Sequence, residues 1–183
     1  GTVGPPARHQ EFIIVDGEGR PCPPGVEGEV SVGGPQTCLG TISPEGVFER
    51  TRETRMKTGD LAVMDEDGFV RVTGRNKDLI IRGGVNIAPL EIDNVLLRCP
   101  KVLEAASVGV PDKIYGEEIV AYVVAKPGEK LTAEDITAHC RSLLPPSKAP
   151  KAVRLVAEIP KSDRGKVRRD ALKALWLAEH PLV

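Results

Sequence analysis

No stretch of this chain approaches the roughly 20 apolar residues that a membrane-spanning helix needs, and no basic-then-apolar leader precedes a cleavage site. Those absences predict a cytoplasmic protein with no membrane partner. Cys22, Cys38, Cys99 and Cys140 are too far apart for a Cys-x-x-Cys motif, and with only His9, His139 and His180 beside them no zinc spacing arises. The thiols therefore read as ordinary reduced cysteines, and no metal site is expected. A basic excess is also missing: 25 Lys and Arg against 26 Asp and Glu leave a formal charge of −1, which argues against a nucleic-acid partner. Gly165-Lys166 lies in no Gly-x-x-x-x-Gly-Lys-Ser/Thr arrangement, so a Walker phosphate loop is excluded. No repeat or low-complexity segment occurs.

What is present is 183 residues, 40% of them hydrophobic, enough for one large domain or two small ones. Composition changes partway along. Residues 1–73 hold twelve of the 19 glycines, and residues 1–76 carry eight basic and twelve acidic side chains, whereas 77–183 carry seventeen and fourteen. In the first half, Phe12 to Val15, Glu29 to Val32, Leu61 to Met64 and Phe69 to Val72 read as short strands, the last two joined by an Asp-Gly turn. Strands at this spacing predict a small β-barrel or curled sheet.

Between the halves runs Gly74 to Asp93. Leu79, Ile80 and Ile81 form an apolar run that Gly83-Gly84 breaks and Val85 and Ile87 resume, the pattern of a tight hairpin. Pro89 then opens a helix with Leu90, Ile92, Val95, Leu96 and Cys99 on one stripe, stopped by Pro100. Beyond it, Leu103 to Val110 and Glu118 to Ala125 predict adjacent strands. Thr132, with Asp135 at the third position, caps a helix carrying Ile136, His139, Cys140 and Leu143 on one side. Val153 to Val156 reads as a strand, and Ala171, Leu172, Leu175 and Trp176 mark a last amphipathic helix from Val167. Three strands and three helices would make a compact α+β unit.

Several residues carry possible chemistry. Asp60, presented beside a glycine, reads either as part of a surface turn or as a carboxylate able to hold both hydroxyls of a ribose. Lys77 and Asp78 read as a solvated linker or as a hinge. Residues 161–173 hold six basic side chains against Asp163 and Asp170, crowded where the last helix begins; cations there are opposed by the helix dipole, and an anionic partner would relieve the conflict. A solvated basic face is the alternative reading.

Three segments in register resemble the signatures of the adenylate-forming enzymes, the group that includes acyl-CoA synthetases, firefly luciferase and peptide-synthetase adenylation domains. Gly74-Arg75-x-Lys77-Asp78-x-Ile80, running on to Gly84, Ile87 and Glu91-Ile92, resembles their hinge motif; Thr58-Gly59-Asp60 their ribose motif; Pro160-Lys161 with Gly165-Lys166 their C-terminal loop. Gly28-Glu29-Val30 is similar to a family strand as well. The resemblance covers essentially the whole chain.

It implies an α+β fold: a small distorted β-barrel subdomain, residues 1–76, ending the large N-terminal domain, followed by a mobile α+β C-terminal lid, residues 77–183. It implies Lys166 as the catalytic residue meeting the α-phosphate, Asp60 and Arg75 as nucleotide contacts, and Gly83 and Gly84 lining the pantetheine path with Arg82 near a CoA phosphate. Lys77 is the implied pivot, with Asp78 beside it. ATP, Mg²⁺, coenzyme A and a small carboxylic acid are the implied reactants. The hinge loop is more similar to acyl- and aryl-CoA synthetases than to peptide-synthetase domains; an aryl-acid ligase loading a carrier protein, or a stand-alone binding module, are the other readings. The family's phosphate loop, adenine motif and acyl pocket are not found in this sequence, so the piece is expected to be inactive without a further N-terminal domain. Where relatives carry Gly-Trp-Phe it has Thr54-Arg55-Met56, a departure at the barrel edge.

Overall fold

A computed structural model describes residues 2–50 and 55–181. Thr54, in the departure just noted, lies outside them. Contacts divide the chain into two units, Gly1–Lys77 and Asp78–Val183.

The first unit is built on an antiparallel sheet ordered β1-β2-β5-β6, from β1 (Glu11–Val15), β2 (Gly28–Gly33), β5 (Met56–Met64) and β6 (Val70–Arg75). Alternation buries Ile14, Val30, Val32, Ala62 and Val70 on one face. The sheet is open along this path, with no β1–β6 pairing among the described residues, although a bridge from Gly4 to Val70 lays the preceding segment along β6. The Asp-Gly turn forms as its sequence predicts: the Asp65 side chain accepts from the Asp67 and Phe69 amides. A separate hairpin, β3 (Gly40–Ile42) with β4 (Phe48–Arg50), was not legible in the sequence.

In the second unit the glycine hairpin, β7 (Ile80–Arg82) and β8 (Val85–Ile87), joins the long antiparallel pair β9 (Val102–Asp112) and β10 (Gly116–Ala125). β11 (Ala152–Leu155) runs parallel to β10 on its other side. The unit is α+β as expected, but its sheet has five strands because the hairpin belongs to it.

Both faces of this sheet are covered, which explains why β10 reads as a nearly continuous apolar run. Ile119, Ala121 and Val123 pack with Ile92, Val95 and Leu96 of α1 (Pro89–Leu96) and Ile136 and Cys140 of α2 (Ala133–Leu143). Val120, Tyr122 and Val124 pack with Ile159 and with Leu172 of α3 (Arg169–Glu179). Thr132 and Asp135 form a reciprocal capping box at α2. Leu143, expected on the packed side, is 49% exposed, and Leu144 is buried in its place. The last helix starts at Arg169 and not at Val167, because Val167 bridges back to Lys161. Among the described residues no helix is long and apolar enough to cross a membrane.

Candidate functional site

In the first unit, Thr58, Gly59 and Asp60 stand opposite Val30 alone, since β2 pairs β5 at Glu29↔Leu61 and again at Ser31↔Lys57. The motif is thus a bulge in a strand, not a surface turn, and bulges re-aim side chains. Gly59 takes φ 77°, a left-handed value open to glycine, and the Thr58 hydroxyl donates to the Val30 carbonyl while accepting from the Asp60 amide. Asp60 pairs across the ladder with Arg75, and their side chains form an ion pair at 2.8 Å, both partly exposed. The two residues implied as nucleotide contacts are therefore brought together.

After Arg75 the strand gives way to a single 3-10 turn, Asn76–Asp78, across which the contacts divide. Lys77 is exposed there, and Asp78 is half-buried with its carboxylate 3.9 Å from Arg169 Nε.

At the hairpin, Gly83 and Gly84 have φ 58° and 81°, and the Gly83 amide donates to the Tyr115 carbonyl at 2.8 Å. Both glycines are exposed. Arg82 is engaged within its own unit: it bonds the carboxylate of Glu118 at 2.8 Å and the Ser147 carbonyl at 3.3 Å, and its guanidinium lies 4.4 Å over the Tyr115 ring. The Glu118 hydrogen bond pushes Arg82 above its ordinary pKa. With Glu118 only 4% exposed, this pair holds the hairpin to β10.

Lys166 lies on a closed loop. Pro160 accepts from the Arg168 amide, Ser162 and Lys166 pair through their backbones, and Gly165 at φ 74° completes the turn. Of the six cations in this segment, Lys161 pairs with Glu104, Arg168 with Asp170, Arg169 with Asp93 and Lys173 with Glu117. The unfavourable crowding at the helix start is thus mostly relieved inside the fold. Lys166 and Arg164 are exposed and have no ion pair among the described residues.

Sequence reasoning missed the most buried polar cluster of the unit. Asp93, 5% exposed on α1, accepts from the amide and hydroxyl of fully buried Ser107 at 2.7 and 2.8 Å and from Arg169 Nη2 at 2.6 Å. Burial pushes its carboxyl up from the ordinary value, against the pull of Arg169 and Ser107 toward the ionised form. Its spacing held the signal: Asp93 falls four residues after Pro89 and three before Leu96, both buried, so a carboxylate on a core stripe required a partner. No group of three or more His, Cys, Asp or Glu that could hold a metal occurs among the described residues.

The AMP-binding enzyme C-terminal domain matches residues 91–166. The chain is 42% identical over 171 residues to the sulfoacetate–CoA ligase of Cupriavidus necator, a match covering 92% of this chain and 33% of that protein. It is 41% identical over 174 residues to a long-chain-fatty-acid–CoA ligase of Escherichia coli O6:H1, covering 94% and 31%. Among solved structures, ATP-bound MatB from Rhodopseudomonas palustris superposes with a TM-score of 0.86 at 31% identity, over 96% of this chain and 36% of that one. The chain spans about a third of the length of the curated relatives it matches. Residues 91–166 thus match the AMP-binding enzyme C-terminal domain, and over nearly its whole length the chain is similar in sequence and fold to about a third of the length of CoA ligases.

Proposed function

We propose that this chain is the C-terminal part of an ATP-dependent carboxylic acid–CoA ligase, working in two half-reactions with a separate N-terminal portion. The observation that carries the reading is Lys166: an exposed cation on a loop closed by backbone hydrogen bonds, without an ion pair among the described residues, where four of the other five cations of residues 161–173 are paired. A side chain so presented has its charge available for an incoming anion.

In the first step the substrate carboxylate oxygen attacks the α-phosphorus of ATP, and the bond to pyrophosphate breaks. Asp60 accepts the ribose hydroxyls, with Arg75 orienting its carboxylate, and Lys166 offsets charge developing at the α-phosphate. Mg²⁺ carried by ATP would supply charge neutralisation for the pyrophosphate. In the second step residues 77–183 swing about Lys77 as a lid on the β-rich residues 1–76. Lys166 leaves, the Gly83-Gly84 hairpin lines the thiol's approach, and the CoA sulfur attacks the acyl carbonyl carbon as AMP departs. The division of contacts between Lys77 and Asp78 supports a pivot there. Asp78, paired within the second unit, travels with the lid. Arg82 serves this step by fixing the hairpin through Glu118, since its guanidinium is already engaged.

The acid is chosen elsewhere. Relatives named for sulfoacetate and for long-chain fatty acids match this portion almost equally well, at 42% and 41% identity. The test is Lys166→Ala in the complete enzyme: pyrophosphate exchange falls by about 10²–10³-fold, the scale for losing one charge-stabilising group, while thioester formation from supplied acyl adenylate changes far less. Equal loss in both half-reactions refutes the assignment.

A further inference from the structure

Arg169 stands in none of the segments quoted for the family, yet it joins three places that the two-step reading requires to move together. Its Nη2 donates to Asp93 Oδ2 and its Nη1 to the Ser107 carbonyl, each at 2.6 Å, and its Nε lies 3.9 Å from the Asp78 carboxylate. The other Asp93 oxygen is filled by the Ser107 amide and hydroxyl, so this end of the guanidinium is seated on a fixed, buried platform. On the second side, the chain reaches Lys166 after only Arg168 and Val167. Both are tied down, Arg168 by its amide to Pro160 and Val167 by its bridge to Lys161. On the third side, Asp78 is the first residue of the unit, directly after the proposed pivot.

We propose that Arg169 is a positioning residue for the adenylation half-reaction: clamped to Asp93 and Ser107 and facing Asp78, it fixes the Lys166 loop relative to the pivot. Rotation at Lys77 then carries Lys166 to one repeatable place. This rests on the role of Lys166 proposed above. The task suits a guanidinium, whose planar fork offers three directed N–H faces, and not an ammonium, which would satisfy one partner at a time. A buried ion pair adds little stability that apolar packing could not supply, so the geometry it imposes is what distinguishes it here.

The experiment uses Arg169→Lys and Asp93→Asn in the complete enzyme. The second variant removes the buried charge but presents an amide nitrogen or a single oxygen where Arg169 and Ser107 each need an acceptor. Pyrophosphate exchange, thioester formation from supplied acyl adenylate and the thermal midpoint are measured on each. Exchange is expected to fall in kcat by about 10- to 100-fold, the cost of displacing a catalytic group by about an ångström. The KM for ATP stays within about twofold, because the proposed ribose contact lies in the other unit. Thioester formation from the adenylate, which does not use Lys166, changes by less than about threefold. The double variant is no worse than the worse single one, since both break one contact.

Parallel loss of the two half-reactions, loss that follows the folded fraction, or unimpaired exchange would each overturn the proposal. Should Arg169→Lys fail to fold, Asp93→Asn is judged by the same criteria. Lys166→Ala, assayed alongside, separates the two ideas. If it leaves exchange intact, the functional reading fails; if it abolishes exchange while Arg169→Lys and Asp93→Asn do not lower it, only the clamp fails.

Discussion

Replacing Gly83 separates two reasons for a glycine in the hairpin. Arg82 pairs with Val85 across a two-residue loop whose φ values, 58° and 81°, are both left-handed, as a type I′ turn requires. A Cβ built at Gly83 would meet Tyr115 Cδ1 at 3.4 Å, an ordinary contact, so alanine is resisted by backbone conformation and not by lack of space. That conformation costs an alanine about 1–2 kcal/mol. For a unit of this size, about 1 kcal/mol moves the thermal midpoint by about 4–8 °C. Asparagine tolerates left-handed φ, and Asn-Gly is a preferred pair in such turns, so Gly83→Asn should cost less than about half as much as Gly83→Ala. Unfolding of the two variants, followed by circular dichroism, reads the difference; equal destabilisation would refute the conformational argument. The same proteins then test the thiol step. If the exposed backbone must approach the pantetheine arm, both variants slow thioester formation with pyrophosphate exchange unchanged, whereas strain alone slows only the alanine variant.

Other outcomes follow from the same geometry. Lys151 and the amides of Tyr115 and Ile114 hold the Asp112 carboxyl down at about 2, so the stability it contributes is present above its ordinary value of 3.8 and lost as pH falls toward 2; Asp112→Asn should flatten the acid limb of a pH–stability curve there, and an unchanged limb refutes it. Thr132→Ala removes the capping box of α2 and should cost about 1 kcal/mol in denaturant unfolding, with Thr132→Ser recovering most of it. Burial pushes the Cys140 thiol up to about 11, and Cys99 is buried beside it, so a maleimide should label exposed Cys38 in the native protein and reach Cys99 and Cys140 only after denaturation. Rapid native labelling of Cys140 would contradict its placement in the core.

The elements that were legible in advance are those where local chemistry and pattern agree. Thr132 with Asp135 announced a helix start, and Gly83-Gly84 between apolar runs announced a hairpin. What escaped was decided by distant parts of the chain. Joining β7–β8 to the sheet depends on a pairing of Gly116 with Arg82, which no local pattern encodes. Leu143 and Leu144 are equally apolar, and only packing under α1 and the sheet selects Leu144. The site divides in the same way. Asp60, Arg75, Gly83, Gly84 and Lys166 stand in recognisable segments, whereas Asp93, Ser107 and Arg169 look like scattered polar residues until the fold gathers them. The pairing of the basic residues before and within α3 was not legible because three of their partners, Glu104, Asp93 and Glu117, lie far away in sequence.

Ser107 has a further consequence. β9 pairs only with β10 among the described strands, and at Ser107 the outward amide is taken by Asp93 and the outward carbonyl by Arg169. A foreign chain seeking to add itself along that margin would find both main-chain groups at this point already occupied by side chains. The residues that seat the guanidinium thus also bar the sheet from growing outward, and loosening them would expose the protein to aggregation.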